Sequence, residues 1–192
     1  METICKDKDI QRAIALDARR KLSNTQREMF SRKVSEHLMD LPFIKNTHVV
    51  LAYSATYDEV SLSAFAESAK ELNLELAYPV SYKGGIMKAY VPDSDEAWEN
   101  GKFGIRSPKE NRSKLINPED IDLVIVPCVA FDEGLRRLGH GAGYYDRYLP
   151  MCTKAKFVCV AFEAQKLDNI VVNQYDTPMD CVVTEEKIYW SE

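Results

Sequence analysis

Residues 123–126 read Leu-Val-Ile-Val and are closed by Pro127. Successive side chains of a strand point to opposite faces, so an unbroken apolar run demands cover on both. That is the condition of an interior strand in a parallel sheet, and it constrains the fold more than any other feature of the chain. A second run of this kind occupies 48–53, His-Val-Val-Leu-Ala-Tyr. Elsewhere the period changes. Phe30, Val34, Leu38 and Leu41 recur at helical spacing, behind Ser23-Asn-Thr-Gln26 and ahead of Pro42. Ser23 with Gln26 matches a capping box, in which each side chain satisfies an amide left open at a helix start. The patterning predicts two helices within 7–40 and another over 62–72 with Ser61 as its cap. It predicts further strands at 74–78 (ended by Pro79), 86–91, 157–161 and 181–184. Strands alternating with helices predict an α/β fold, a three-layer α/β/α arrangement around a largely parallel sheet. The polar stretch 92–122 reads as an extended surface connection with a short helix near 95–100.

No internal repeat or low-complexity segment divides the 192 residues, which suit a single domain spanning 1–192. At 45% hydrophobic, the chain has enough apolar side chain for a core without disulfides or structural metal. The net charge of −5 argues against gripping nucleic acid or an anionic membrane, while leaving a small anionic ligand open. Five cysteines, odd in number, scattered and never spaced Cys-x-x-Cys, argue against a disulfide framework or a zinc site. The N-terminus is charged within its first residues, and no apolar run approaches the ~18 residues of a spanning helix. A cytoplasmic protein is expected, with no nucleic-acid or membrane partner, as a monomer or weak homodimer.

The densest chemistry lies after the 123–127 run. Gly139, Gly141 and Gly143 alternate, with Arg136 and Arg137 just upstream and Tyr144, Tyr145 and Asp146 just downstream. Glycines there allow close backbone approach, so successive amides can converge on an anion. A helix expected over 144–151 adds a partial positive charge at its start, and Arg137 can pair with phosphate oxygens through two N–H groups. The spacing is not the Gly-x-Gly-x-x-Gly of a dinucleotide site, so the fold is Rossmann-like without that fingerprint. Nor does Gly-Lys-Ser/Thr, the end of a P-loop, occur anywhere.

The segment Arg137-Leu-Gly-His-Gly-Ala-Gly-Tyr-Tyr-Asp-Arg147 closely resembles the signature of the 5-formyltetrahydrofolate cyclo-ligase family. Weaker features follow in the family's order: Lys8 and Arg12; Asp58-Glu59; Gly104, Ile105 and Pro108; Pro127 with Phe131-Asp132; then Asp176, Asp180 and Thr184. The resemblance implies ATP- and magnesium-dependent closure of 5-formyltetrahydrofolate to 5,10-methenyltetrahydrofolate, with release of ADP and phosphate. It implies ATP contacts at Lys8 and Arg12, and along Arg137, Leu138, Gly139, His140, Gly141, Ala142, Gly143, Tyr144 and Tyr145. Substrate contacts are implied at Ser54 and Glu59 and again at His140, Gly141, Ala142, Gly143 and Tyr144. Magnesium would sit at Asp146 and Asp176, with Asp180 ranked second, and Arg137 and Glu59 are the candidates for a catalytic role. The chain departs from the family at His140, at Ala142 and at Tyr175, where the family often has histidine.

Weighed on spacing alone, several of these residues have plainer readings. Lys8, Arg12 and Arg19 share one face of a helix, which would ordinarily be a solvated basic face. The resemblance moves Lys8 and Arg12 towards phosphate and leaves Arg19 in solvent. Among flat apolar partners for a pterin, Tyr144 is best supported, whereas Tyr53 and Phe103 suit core packing. His37 and His48 read as structural. A sugar-phosphate isomerase or CoA-transferase of similar fold, or a reduced-folate-binding protein without turnover, stays open beside the ligase. The site should lie where the two ends of the chain meet.

Overall fold

In the computed structural model, which describes residues 2–101 and 104–191, the chain begins with two helices, α1 (Glu2–Arg20) and α2 (Asn24–Met39). Then come β1 (Val49–Leu51), α3 (Ser63–Glu71), β2 (Glu75–Ser81) and β3 (Met87–Pro92). The middle of the chain supplies β4 (Trp98–Asn100), β5 (Arg106–Pro108), β6 (Ser113–Ile116) and β7 (Leu123–Pro127). After these come β8 (Ala130–Phe131), β9 (Arg137–Leu138), α4 (Tyr144–Tyr148), β10 (Lys156–Val160), β11 (Cys181–Val183) and β12 (Ile188–Trp190). Phe103, one of the pterin-stacking candidates, lies outside the described residues.

Eight strands form one sheet in the order β12-β11-β10-β7-β1-β2-β3-β6. The interior pairs, β11·β10, β10·β7, β7·β1 and β1·β2, are parallel, and antiparallel pairs close both edges. The apolar run of β7 is buried on both faces, as its composition demands. Leu123 and Ile125 pack with Val34, Leu38 and Phe65 from α2 and α3. Val124 and Val126 pack with Tyr148, Leu149 and Cys152, from α4 and the turn after it. This is the three-layer α/β/α arrangement.

The capping box at Ser23 and Gln26 is present in both directions. Ser61 lies two residues before the helix it was expected to cap, with Leu62 at the cap position, yet its hydroxyl accepts the Ser63 amide at 3.3 Å. Two readings are corrected. Pro79 does not end its strand: β2 continues to Ser81, because pairing with β1 stops at Ala77 and Pro79 is paired only with Ala89 on β3. Proline is tolerated where one edge of a strand is unpaired. The stretch 92–122 is not a bare connection. It carries the β4–β5 hairpin, with Trp98 edge-on to Tyr78 at 4.7 Å, and the sheet's edge strand β6. Short edge strands face water on most sides, so they lack the apolar period that marks interior ones.

Between β1 and β7 the strand order reverses, since the chain leaves β1 for one side of the sheet and returns to β7 on the other. Loops leaving neighbouring strands there diverge and open a crevice at the carboxyl ends. Across those ends lies α1, packed by Ala15 onto Val129, Ala130, Leu138 and Ile170. No helix among the described residues is long and apolar enough to cross a membrane.

Candidate active site

Four segments meet at the carboxyl edge: α1, the loop after β1, the glycine loop after β9, and the loop before β11. The inward face of α1 is polar. Lys8 Nζ donates to Asp176 Oδ2 at 2.6 Å, Gln11 Nε2 donates to the Asn169 carbonyl at 2.6 Å, and Arg12 Nε donates to the Gly139 carbonyl at 2.9 Å. The large apolar residues Ile10 and Ile14 of this helix are exposed. The usual amphipathic sense is thus inverted, because α1 packs on loop carbonyls and carboxylates more than on the apolar core. The Lys8–Asp176 pair joins the first helix to the C-terminal part of the chain.

In the glycine loop, Gly141 and Gly143 take φ of +95° and +68°, a region open to glycine at little cost. A Cβ on Gly141 would also stand 3.3 Å from the Arg12 guanidinium. Gly139 has neither constraint; its contribution is the carbonyl held by Arg12. The expected helix over 144–151 is only the five residues of α4 followed by a 3-10 turn, so its dipole is small. An anion held here would therefore depend on side chains and loop amides rather than on the helix dipole. Leu138 is a core residue, buried against Ala15, and supports the loop from beneath. Tyr144 is half-buried, donates from its hydroxyl to the Tyr82 carbonyl at 3.1 Å, and lies under Arg147. Tyr145 lies under Arg137, and burial foremost, then the Glu59 charge, raises its phenol well above the ordinary range. It stays protonated at neutral pH.

Arg137 is buried, with 4% of its side chain exposed, and its Nη2 donates to Asp146 Oδ1. Its Nε–H is buried and makes no hydrogen bond. Arg137 and Asp176 line one cavity of about 160 Å³ with Asn173 and Thr177. Arg136 also reaches this cavity but forms an ion pair with Asp132. The two metal candidates are therefore each held by a cation, Asp146 by Arg137 and Asp176 by Lys8. Asp180 belongs elsewhere: it accepts from Lys156 and from the Phe157 amide at the start of β10, the opposite end of the sheet.

Across the crevice, Glu59 Oε1 lies 3.3 Å from His140 Nε2, joining the loop after β1 to the glycine loop at the switch point. Burial pushes the Glu59 carboxyl up, but His140, the Thr56 amide and hydroxyl and the Arg19 charge outweigh it and hold it below the ordinary value. Ser54, half-buried, stands just past the end of β1. Tyr53 is committed to the core, its hydroxyl donating to the Val60 carbonyl at 2.6 Å, which leaves it unavailable for stacking. His37 is structural, 2.8 Å from the Thr184 carbonyl.

Sequence reasoning missed two contributors, Arg19 and Gln11, while Arg147 was expected near the glycine turn. Arg19, expected in solvent, is buried on Asp58. Gln11 also accepts the Val171 amide at 3.1 Å. Arg147 donates to the Gly85 carbonyl at 3.1 Å and to the Ala142 carbonyl at 2.6 Å, tying the β2–β3 turn to the glycine loop. Only the helical spacing of Lys8, Gln11, Arg12 and Arg19 hinted that these side chains share a face.

A family model described as the 5-formyltetrahydrofolate cyclo-ligase family matches residues 5–185. The 5-formyltetrahydrofolate cyclo-ligase of Escherichia coli K12 is 28% identical over 177 residues, covering 89% of this chain and 96% of its own. A probable 5-formyltetrahydrofolate cyclo-ligase of Schizosaccharomyces pombe is 30% identical over 192 residues, covering 92% and 94%. The NMR structure of Aquifex aeolicus 5,10-methenyltetrahydrofolate synthetase superposes with a TM-score of 0.83 at 34% identity, covering 95% of this chain and 92% of that one.

Proposed function

Because this chain belongs to the 5-formyltetrahydrofolate cyclo-ligase family, we propose that it closes 5-formyltetrahydrofolate to 5,10-methenyltetrahydrofolate at the expense of ATP, with magnesium. The observation that carries the ATP and metal part is the pairing of Lys8 with Asp176 and of Arg137 with Asp146, with one partner of each pair, Asp176 and Arg137, lining the same cavity. An arginine whose buried Nε–H lacks a partner is a donor awaiting an acceptor. A nucleotide phosphate supplies one, and its charge suits Lys8 and Arg12 as well.

The carboxylates fit magnesium in a particular way. Among the described residues no group of three or more His, Cys, Asp or Glu side chains could form an all-protein cage. Magnesium ordinarily takes one or two carboxylates and completes its shell with phosphate oxygens and water, which Asp146 and Asp176 suit. Bound there, the metal supplies charge neutralisation on the phosphates. The protein's part is an exchange of partners: Lys8 and Arg137 turn from carboxylate to phosphate, which frees Asp146 and Asp176.

The chemistry asks little else of the chain. The formyl oxygen attacks the γ-phosphorus and ADP leaves, giving an N5-iminium phosphate. N10 then adds to the formyl carbon and loses its proton, and the C–O bond breaks to release phosphate. Positioning and neutralisation of charge carry such a transfer, and no side-chain nucleophile is required. Glu59 and His140, across the crevice from the cations, are the polar groups we place against the pterin, with Ser54 and Tyr144 nearby. Protein incubated with 5-formyltetrahydrofolate, ATP and magnesium is expected to give the methenyl absorbance and one ADP per product. Absence of an ATP-dependent methenyl signal would overturn the proposal.

A further inference from the structure

Arg19 stands at the far end of α1 from Lys8, with 3% of its side chain exposed. Its Nε and Nη2 both donate to Asp58 Oδ2, at 3.2 and 3.0 Å. The other oxygen of Asp58 accepts the Thr56 hydroxyl at 3.1 Å. The Thr56 amide donates to Glu59 Oε2 at 2.9 Å, and the Glu59 amide returns a bond to the Thr56 carbonyl at 3.3 Å. Glu59 Oε1 faces His140. The polar chain therefore runs unbroken from α1, through the loop after β1, to the glycine loop.

A buried ion pair stabilises a fold little unless its remaining donors are met, and apolar side chains of similar size often do as well. Here Arg19 Nη1 is buried without a partner. The pair is poorly placed as a stabiliser and well placed as a fixture for the loop. We propose that Arg19 is a positioning residue for the formyl-folate substrate: through Asp58 and Thr56 it sets the Glu59 carboxylate at the mouth of the crevice. This rests on the reading of Glu59 as a substrate-facing group.

The alternative is that Arg19 merely secures α1. That helix also carries Lys8 and Arg12, so loosening it would weaken ATP binding too. The KM values for the two substrates separate the roles. Arg19→Gln and Asp58→Asn are each expected to raise KM for 5-formyltetrahydrofolate about tenfold, the effect of one charge-assisted contact. KM for ATP should stay within about twofold, and Arg19→Lys should recover part of the loss. On a Glu59→Gln background, Arg19→Gln should add little, since residues acting through one group are not additive. If Arg19→Gln strands the Asp58 charge and fails to fold, the double variant Arg19→Gln/Asp58→Asn removes both charges, and the same split is expected. An equal rise in both KM values, or effects of Arg19→Gln and Glu59→Gln that simply multiply, would overturn the proposal. If Glu59→Gln alone leaves the folate KM unchanged, the reading of Glu59 falls and the proposal with it. A folate effect at Glu59 with none at Arg19 removes the positioning role alone.

Discussion

Gly141 and Gly139 look alike in the sequence and differ in what they permit. Gly141 sits at φ +95° with the Arg12 guanidinium 3.3 Å from where a Cβ would be. Gly139→Ala would meet nothing within 4 Å. Gly141→Ala should therefore destabilise by about 1–2 kcal/mol, the cost of forcing an L-residue into left-handed backbone, while Gly139→Ala leaves thermal unfolding nearly unchanged. Melting both variants without ligand checks this. Arg137→Ala is expected to raise KM for ATP by about 10- to 100-fold, from the loss of charged hydrogen bonds of ~1.5–3 kcal/mol. Steady-state kinetics with ATP varied decide it, and an unchanged KM would remove Arg137 from the nucleotide site. The glycine segment and its arginine were legible because their meaning is local. Arg19 was not, since Asp58 lies 39 positions away and nothing in the local pattern names it.

At the scale of elements, α1 behaves unlike α2. Val34, Leu38 and the partly buried Phe30 bind α2 to the sheet by apolar contact, which depends on no ligand. Beside the small apolar contact of Ala15, α1 is held by polar partners, among them Asp176, Gly139, Asn169 and Asp58, on loops of the crevice. Such a helix should open locally more readily than β7, and should be held when phosphate joins its inward face. Amide hydrogen exchange is expected to be slower across α1 with ATP and magnesium present, with β7 unaffected. The capping box of α2 could be read directly because it needs only neighbours in sequence. β4, β5 and β6 escaped because edge strands need little apolar patterning, and β12 pairs on one side only, with β11.

Across the whole molecule, the acid limb of stability follows from carboxylates held by their surroundings. Burial pushes Asp122 up, but Lys154 and the Val49 and His48 amides outweigh it and leave it below its ordinary 3.8. Glu59 lies below its ordinary 4.5 for the reasons given above. A depressed carboxyl contributes stability that is complete above its unfolded value and lost as pH falls through the folded one. Stability should thus begin to fall near pH 4.5 and continue downward through both groups. Glu185, raised chiefly by burial, opposes this with the other sign. Denaturant melts between neutral and acid pH check the trend, and Glu59→Gln should flatten its upper part. By itself the sequence determined a buried parallel strand at 123–126, the layers that must cover it, and a glycine-rich loop after it. Each follows from interactions among near neighbours or from a period along one element. Only the tertiary structure decided that the basic face of α1 turns inward, that Arg147 ties the β2–β3 turn to the glycine loop, and that Glu59 meets His140. Those outcomes depend on strand order, which brings distant loops to one crevice, and a charge buried there is settled by whichever opposite charge the fold delivers.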